Sequence, residues 1–104
     1  MINRRYATRE DMIKDIDILM KTWEEYKILY NEEINKRKGI ISIDSINELI
    51  IKAKEIAQTK EEHEISIEGF FDSYVAMLIE IGNSNVVHRG LDRQLLNLKE
   101  ESLM

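Results

Sequence analysis

Between Glu61 and His88 the chain carries six carboxylates, Glu61, Glu62, Glu64, Glu68, Asp72 and Glu80, and no lysine or arginine. Acids massed in this way suit three kinds of chemistry. They can hold a divalent cation, meet a cationic protein partner, or stay solvated on an outer face. Glu68, Asp72 and Glu80 fall at multiples of four, which sets them on one edge of a helix. Like charges at that spacing repel by about a few tenths of a kcal/mol, so water, salt or a partner must offset them.

In the metal-binding alternative, Glu61, Glu64, Glu68 and Asp72 line one helical face if the second or third helix extends through the linker. Helical enzymes use carboxylates on facing helices to hold Mg²⁺ against a nucleotide's phosphates. In this respect residues 61–72 resemble the all-α nucleoside triphosphate pyrophosphohydrolases, and the resemblance implies a Mg²⁺-dependent enzyme. That family pairs Glu-x-x-Glu on one helix with Glu-x-x-Asp on the next. Here Glu68 and Asp72 stand four apart, and Glu61-Glu62-His63-Glu64 runs directly into Ser66.

Other reagents are scarce. His63 and His88 belong to no His-x-x-x-His or Glu-x-x-His pair that would chelate zinc. The absence of cysteine removes disulfides, thiolate metal sites and a cysteine nucleophile. No Gly-x-Ser-x-Gly elbow, phosphate-cradling glycine loop or dinucleotide fingerprint occurs. We therefore expect no catalytic residue, no cofactor and no resident metal.

The formal charge of −5 repels nucleic acid and anionic lipid in general. A nucleic-acid accessory role through Arg4/Arg5/Arg9, Lys36/Arg37/Lys38 or Arg89/Arg93 is a second alternative. Against it, the would-be recognition helix carries only acids, whereas a groove-reading helix presents Arg, Lys, Asn or Gln.

Helices must position these residues, because the chain has no proline and only four glycines. Three helix starts are written as hydroxyl, then acid, then apolar residue: Thr8-Arg9-Glu10-Asp11-Met12, Ser42-Ile43-Asp44-Ser45-Ile46 and Ser66-Ile67-Glu68-Gly69-Phe70. Ile41 and Ile65 precede the two serines and are placed to clamp onto the first turn. The expected helices span about 8–38, 42–60, 66–82 and 86–101, in one domain over 1–104. Their apolar faces are Met12, Ile16, Leu19, Trp23, Tyr26 and Tyr30; Ile46, Leu49, Ile50, Ala53, Ile56 and Ala57; Phe70, Phe71, Tyr74, Met77, Leu78 and Ile81; and Val87, Leu91, Leu95 and Leu98. A competing local reading makes 39–43 and 64–68 short β-strands. The fold expected is all-α, an antiparallel bundle of three long helices with a shorter C-terminal one.

A 30-residue first helix would be roughly 45 Å long, while a compact 100-residue domain has a radius of gyration near 13 Å. Either that helix bends, or its second half is covered by another chain. Trp23, Tyr26 and Tyr30 lie there, as core residues or as the anchors of a homodimer. The functional expectation is a small acidic, non-catalytic protein–protein interaction module, a regulator or inhibitor. It would self-associate through those aromatics and meet a basic partner with Glu68, Asp72 and Glu80. No run of roughly 18 apolar residues suits a membrane, the opening residues lack a secretory pattern, and the expected setting is the cytoplasm.

Overall fold

The computed structural model describes residues 9–37 and 41–103. The elements are α1 (Arg9–Arg37), α2 (Ile43–Ile56), one 3₁₀ turn (Glu61–His63), α3 (Glu64–Ile81) and α4 (Ser84–Leu103). The all-α bundle is as expected. Among the described residues there is no strand: Ser42 caps a helix, and 64–68 are helical. No helix among them is long and apolar enough to cross a membrane.

Side-chain contacts fix the directions. Asp15, Trp23 and Tyr26 meet Ser66, Phe70 and Tyr74 in turn, so α3 runs parallel to α1. Trp23 reaches Asp92 and Asp17 reaches Lys99, so α4 runs antiparallel to it. Thr59, just past α2, meets Thr22, and α2 returns antiparallel from the far end of α1. The result is an up-down-up-down bundle.

A 29-residue α1 is about 43 Å long, and the bundle measures 45 × 25 × 24 Å. The molecule is therefore as long as its first helix. α2 and the 3₁₀ turn cover α1 in relay on one side, and α4 covers it on another. Neither a projecting half nor a second chain is needed, which corrects the argument from compactness.

Two of the three helix-start signals fall on described residues, and they behave differently. The Ser45 N–H donates to the Ser42 hydroxyl (3.2 Å), and buried Ile41 packs with buried Ile46 as the clamp. Ser66 is no cap. The helix begins earlier, through the 3₁₀ turn, and the Ser66 hydroxyl instead donates to the Asp15 carboxylate (2.9 Å). Thr8 and the Lys38-Gly39 ending lie outside the described residues.

α2 stops at Ile56, short of the expected 60, because Gln58 turns left-handed (φ 54°). Its N–H donates to the Glu55 carbonyl and the Thr59 N–H to the Lys54 carbonyl, a Schellman ending without glycine. α3 ends on left-handed Gly82, as expected. α4 starts two residues before the expected 86, with the Asn83 amide oxygen accepting the Val86 N–H, and continues through Gly90. At 20 residues it outlasts 14-residue α2, so the last helix is not the shortest.

The buried face of α1 is Asp15, Leu19, Thr22, Trp23 and Tyr26. Ile56, Ile81 and Leu98, expected inward, are instead exposed near helix ends.

Gln58→Gly and Gly90→Ala should each stabilise the fold by about 0.5–1 kcal/mol. The first relieves a left-handed Cβ; the second adds a methyl where no atom lies within 4 Å. Thermal unfolding should shift upward by a few degrees for each, and additively, since the sites share no partner.

Candidate binding groove

The aromatic residues of α1 are used inside the protomer. Trp23 and Tyr26 are 1% and 0% exposed and stack on each other. Phe70, Phe71 and Tyr74 from α3 and His88 from α4 complete the cluster, most rings meeting edge to face. Trp23 and Tyr26 thus offer no surface to a partner. That corrects their expected role as dimer anchors: ordinary core packing takes them. Tyr30 is half-buried, its ring 4.9 Å from His88.

The cluster's polar atoms are paired. The Trp23 Nε1–H and the Lys27 ammonium both donate to Asp92 Oδ1, at 2.6 and 2.8 Å. Burial would lower the Lys27 pKa, but its bonds to Asp92 and Glu24 outweigh burial and leave it raised. The Tyr26, Tyr74 and His88 side chains form a chain, 2.6 Å between hydroxyls and 2.8 Å from Tyr74 to Nε2. Burial pushes both tyrosines well above their ordinary pKa and pulls His88 below its own. In neutral His88 with its proton on Nδ1, Nε2 accepts from Tyr74 and Tyr26 donates to Tyr74. Protonation would make Nε2 a donor, reverse the chain, and strand the buried Tyr26 O–H.

A second node joins α1 to the start of α3. Asp15 is 4% exposed; Oδ1 faces His63 Nδ1 (2.9 Å) and Oδ2 accepts from Ser66 (2.9 Å). His63 Nε2 faces Glu62 (3.2 Å). Acid, imidazole and hydroxyl are all present, but the serine donates to the acid and not to the imidazole. Both ring nitrogens are engaged by carboxylates, so no base is aimed at the hydroxyl. The node is built to hold helices.

The carboxylate set of the metal-binding alternative is not assembled among the described residues. Among the described residues no group of three or more His, Asp or Glu converges to hold an ion. Glu68 and Asp72 face α2, which presents Asn47, Ile50, Ile51 and Lys54 there and no carboxylate. These residues do not fit the Mg²⁺ site that the pyrophosphohydrolase resemblance implies.

They instead edge a groove between α2 and α3. Phe71 and Ile50 form its floor, Ile51 and Val75 its walls, with about 240 Å³ of space. One turn further, Ile43, Ile46, Leu78 and Ile79 line a wider apolar cleft of about 340 Å³ that reaches Tyr30. Ile51 and Ile79 are 55% and 68% exposed. Glu68 has only a 4.0 Å contact with Lys54, and Asp72 makes no ion pair among the described residues. Glu80 is exposed on α3 near the apolar end and outside the lining. Thus two of the three singled-out acids share the groove, and its hydrophobic residues were missed. Their signal was present: Ile65, Glu68, Asp72, Val75 and Ile79 step by three and four along α3, a second stripe beside the buried one.

No family model, curated protein or solved structure matches the chain.

Because burial lowers the His88 pKa, its neutral form is the one the fold favours. The resulting stability is complete above the ordinary histidine value, about 6.5, and declines as pH falls through the lower folded value. Urea unfolding at pH 7.5, 6.5 and 5.5 should show the gap between wild type and His88→Gln narrowing as pH falls. A gap that stays constant would contradict the assignment.

Proposed function

We propose that the chain is a non-catalytic protein-interaction module whose α2/α3 groove receives an amphipathic, basic helix. The supporting observation is an open apolar cleft with an unpaired carboxylate, Asp72, at its edge. Helix-in-groove recognition needs an apolar trough for anchors spaced at i, i+3, i+4 and i+7. Anchors of the partner seat between Ile43 and Ile79, and lysine or arginine one or two turns on meets Asp72 and Glu68. Glu80 adds to the same field. These charges set association rate and salt dependence, and the isoleucines supply affinity.

A second copy of the chain is the less favoured occupant. It would bring together two acid-edged faces of chains each carrying −5. With Trp23 and Tyr26 buried, self-association through α1 would rest on half-buried Tyr30 and exposed Ile28. The module acts as a regulator or inhibitor by covering a helix that its partner needs elsewhere. The proposal includes a cytoplasmic setting, which a cysteine-free chain tolerates.

A photo-crosslinking residue in place of Ile79, in the full chain and in cells, tests the reading. It should capture a partner that the same residue at exposed Leu96 on α4 does not. With the purified partner, Ile79→Asp should weaken binding by about tenfold or more, and Asp72→Lys should weaken it mainly at low salt. Equal capture from both positions would sink the proposal. So would a purified dimer that Ile79→Asp dissociates, which would give the groove to self-association.

A further inference from the structure

A second cleft, roomier than the groove, has the opposite charge and no role in it. It holds about 480 Å³ between the first half of α1 and the connection from α2 to α3. Lys14 and Lys21, two turns apart on α1, stand on one wall, and Lys60 stands on the other. Ile18 forms an apolar patch between the α1 lysines, and the left-handed Gln58 joins the lining.

The charges around this cleft do not cancel locally. Its two acids are already engaged, Asp17 with Lys99 (3.1 Å) and Glu62 with His63 (3.2 Å). Among the described residues Lys14, Lys21 and Lys60 make no ion pair, whereas Lys54 and Lys99 each have one and Lys27 has two. An acidic chain thus keeps three ammonium groups without an ion pair among the described residues around one roomy cleft. The volume lies within the range of small-molecule pockets, about 300–1,000 Å³.

We propose that this cleft binds a small organic anion carrying at least two phosphate groups. Lysines act on phosphate as mobile point charges, and three around one cavity match a multiply charged group better than a single carboxylate. Ile18 and Gln58 contact the organic part. The acids of 61–80 repel an extended polyanion that continues past the cleft, so a compact ligand fits where nucleic acid does not. The field of the lysines is felt only within a Debye length, about 8–10 Å, which a bound small anion satisfies.

The test is titration of the full chain with pyrophosphate and with ATP, without divalent metal, at low salt. Calorimetry gives the affinity, and backbone amide NMR gives the location. Expected are shifts confined to 14–21 and 58–63, and tighter binding of ATP than of pyrophosphate if the organic part is contacted. Lys14→Gln, Lys21→Gln and Lys60→Gln should each weaken binding by about tenfold, the worth of one charge-assisted bond. Lys52→Gln, an unpaired exposed lysine on α2 outside the cleft, should change nothing. All four positions are exposed, so the variants should fold, which circular dichroism checks. Absence of shifts at millimolar ligand, or equal weakening by Lys52→Gln, would overturn the site. Either result leaves the α2/α3 groove untouched.

Discussion

A polar group buried without a partner costs roughly 1–3 kcal/mol, and on α1 that constraint sets the register of the bundle. Beside Thr22, three buried side chains of this helix carry polar groups that reach across the bundle at three heights. Asp15 reaches His63 and Ser66, Trp23 reaches Asp92, and Tyr26 reaches His88 through Tyr74. Apolar packing alone would tolerate α3 or α4 sliding by one turn, about 5.4 Å. The polar bonds would not, because each is directional and each partner sits on a rigid helix. Hydrophobic burial holds the helices together, and these few bonds decide at which height.

α2 stands outside that arrangement. Its Ile46, Leu49 and Ile50 pack on the core, and its connection makes one 3.4 Å hydroxyl contact, Thr59 with Thr22. Toward α3 it offers only the long Lys54–Glu68 contact. Among the described residues no buried polar bond on the α2/α3 seam draws the two helices close, so the seam stays open and Ile51 and Ile79 stay wet. The groove is thus a consequence of where the specifying bonds are absent. α2 is also the shortest helix, ended early by Gln58, and has the least surface with which to close the gap.

Much of this was legible in the residues. Helix periodicity, the Ser42 cap with its Ile41 clamp, and the Gly82 stop follow from local chemistry, and local chemistry is what a sequence writes most directly. Ser66 shows the limit. Its context is that of a cap, but a carboxylate 51 positions earlier competes for its hydroxyl, and the helix starts ahead of it. Asp15 and Thr22 could have been read. Both sit at helical spacing with Leu19 and Tyr26 on an otherwise greasy stripe, and a polar residue there signals a buried bond. The partner of that bond could not be read, since it depends on how three helices meet. For the same reason Trp23 and Tyr26 gave no sign of which surface would cover them. The acid edge was visible as charge, but its use depended on what α2 places opposite, which is lysine and isoleucine and no second carboxylate.

The two surface features also bear on one another. A chain with fifteen basic and twenty acidic side chains could pair most of its lysines internally. Instead Asp72 faces one seam while Lys14, Lys21 and Lys60 surround a cleft elsewhere. Exposed ion pairs contribute only about 0–1 kcal/mol, so keeping these charges apart takes little from stability. The same charges matter more to recognition, where their fields act on an arriving ligand before contact. Rigid helices make the separation permanent, because an acid on the α3 edge cannot swing across the bundle to a lysine on α1. The net charge of −5 therefore hides two local surfaces of opposite sign, each fixed by the rigid helices that carry it.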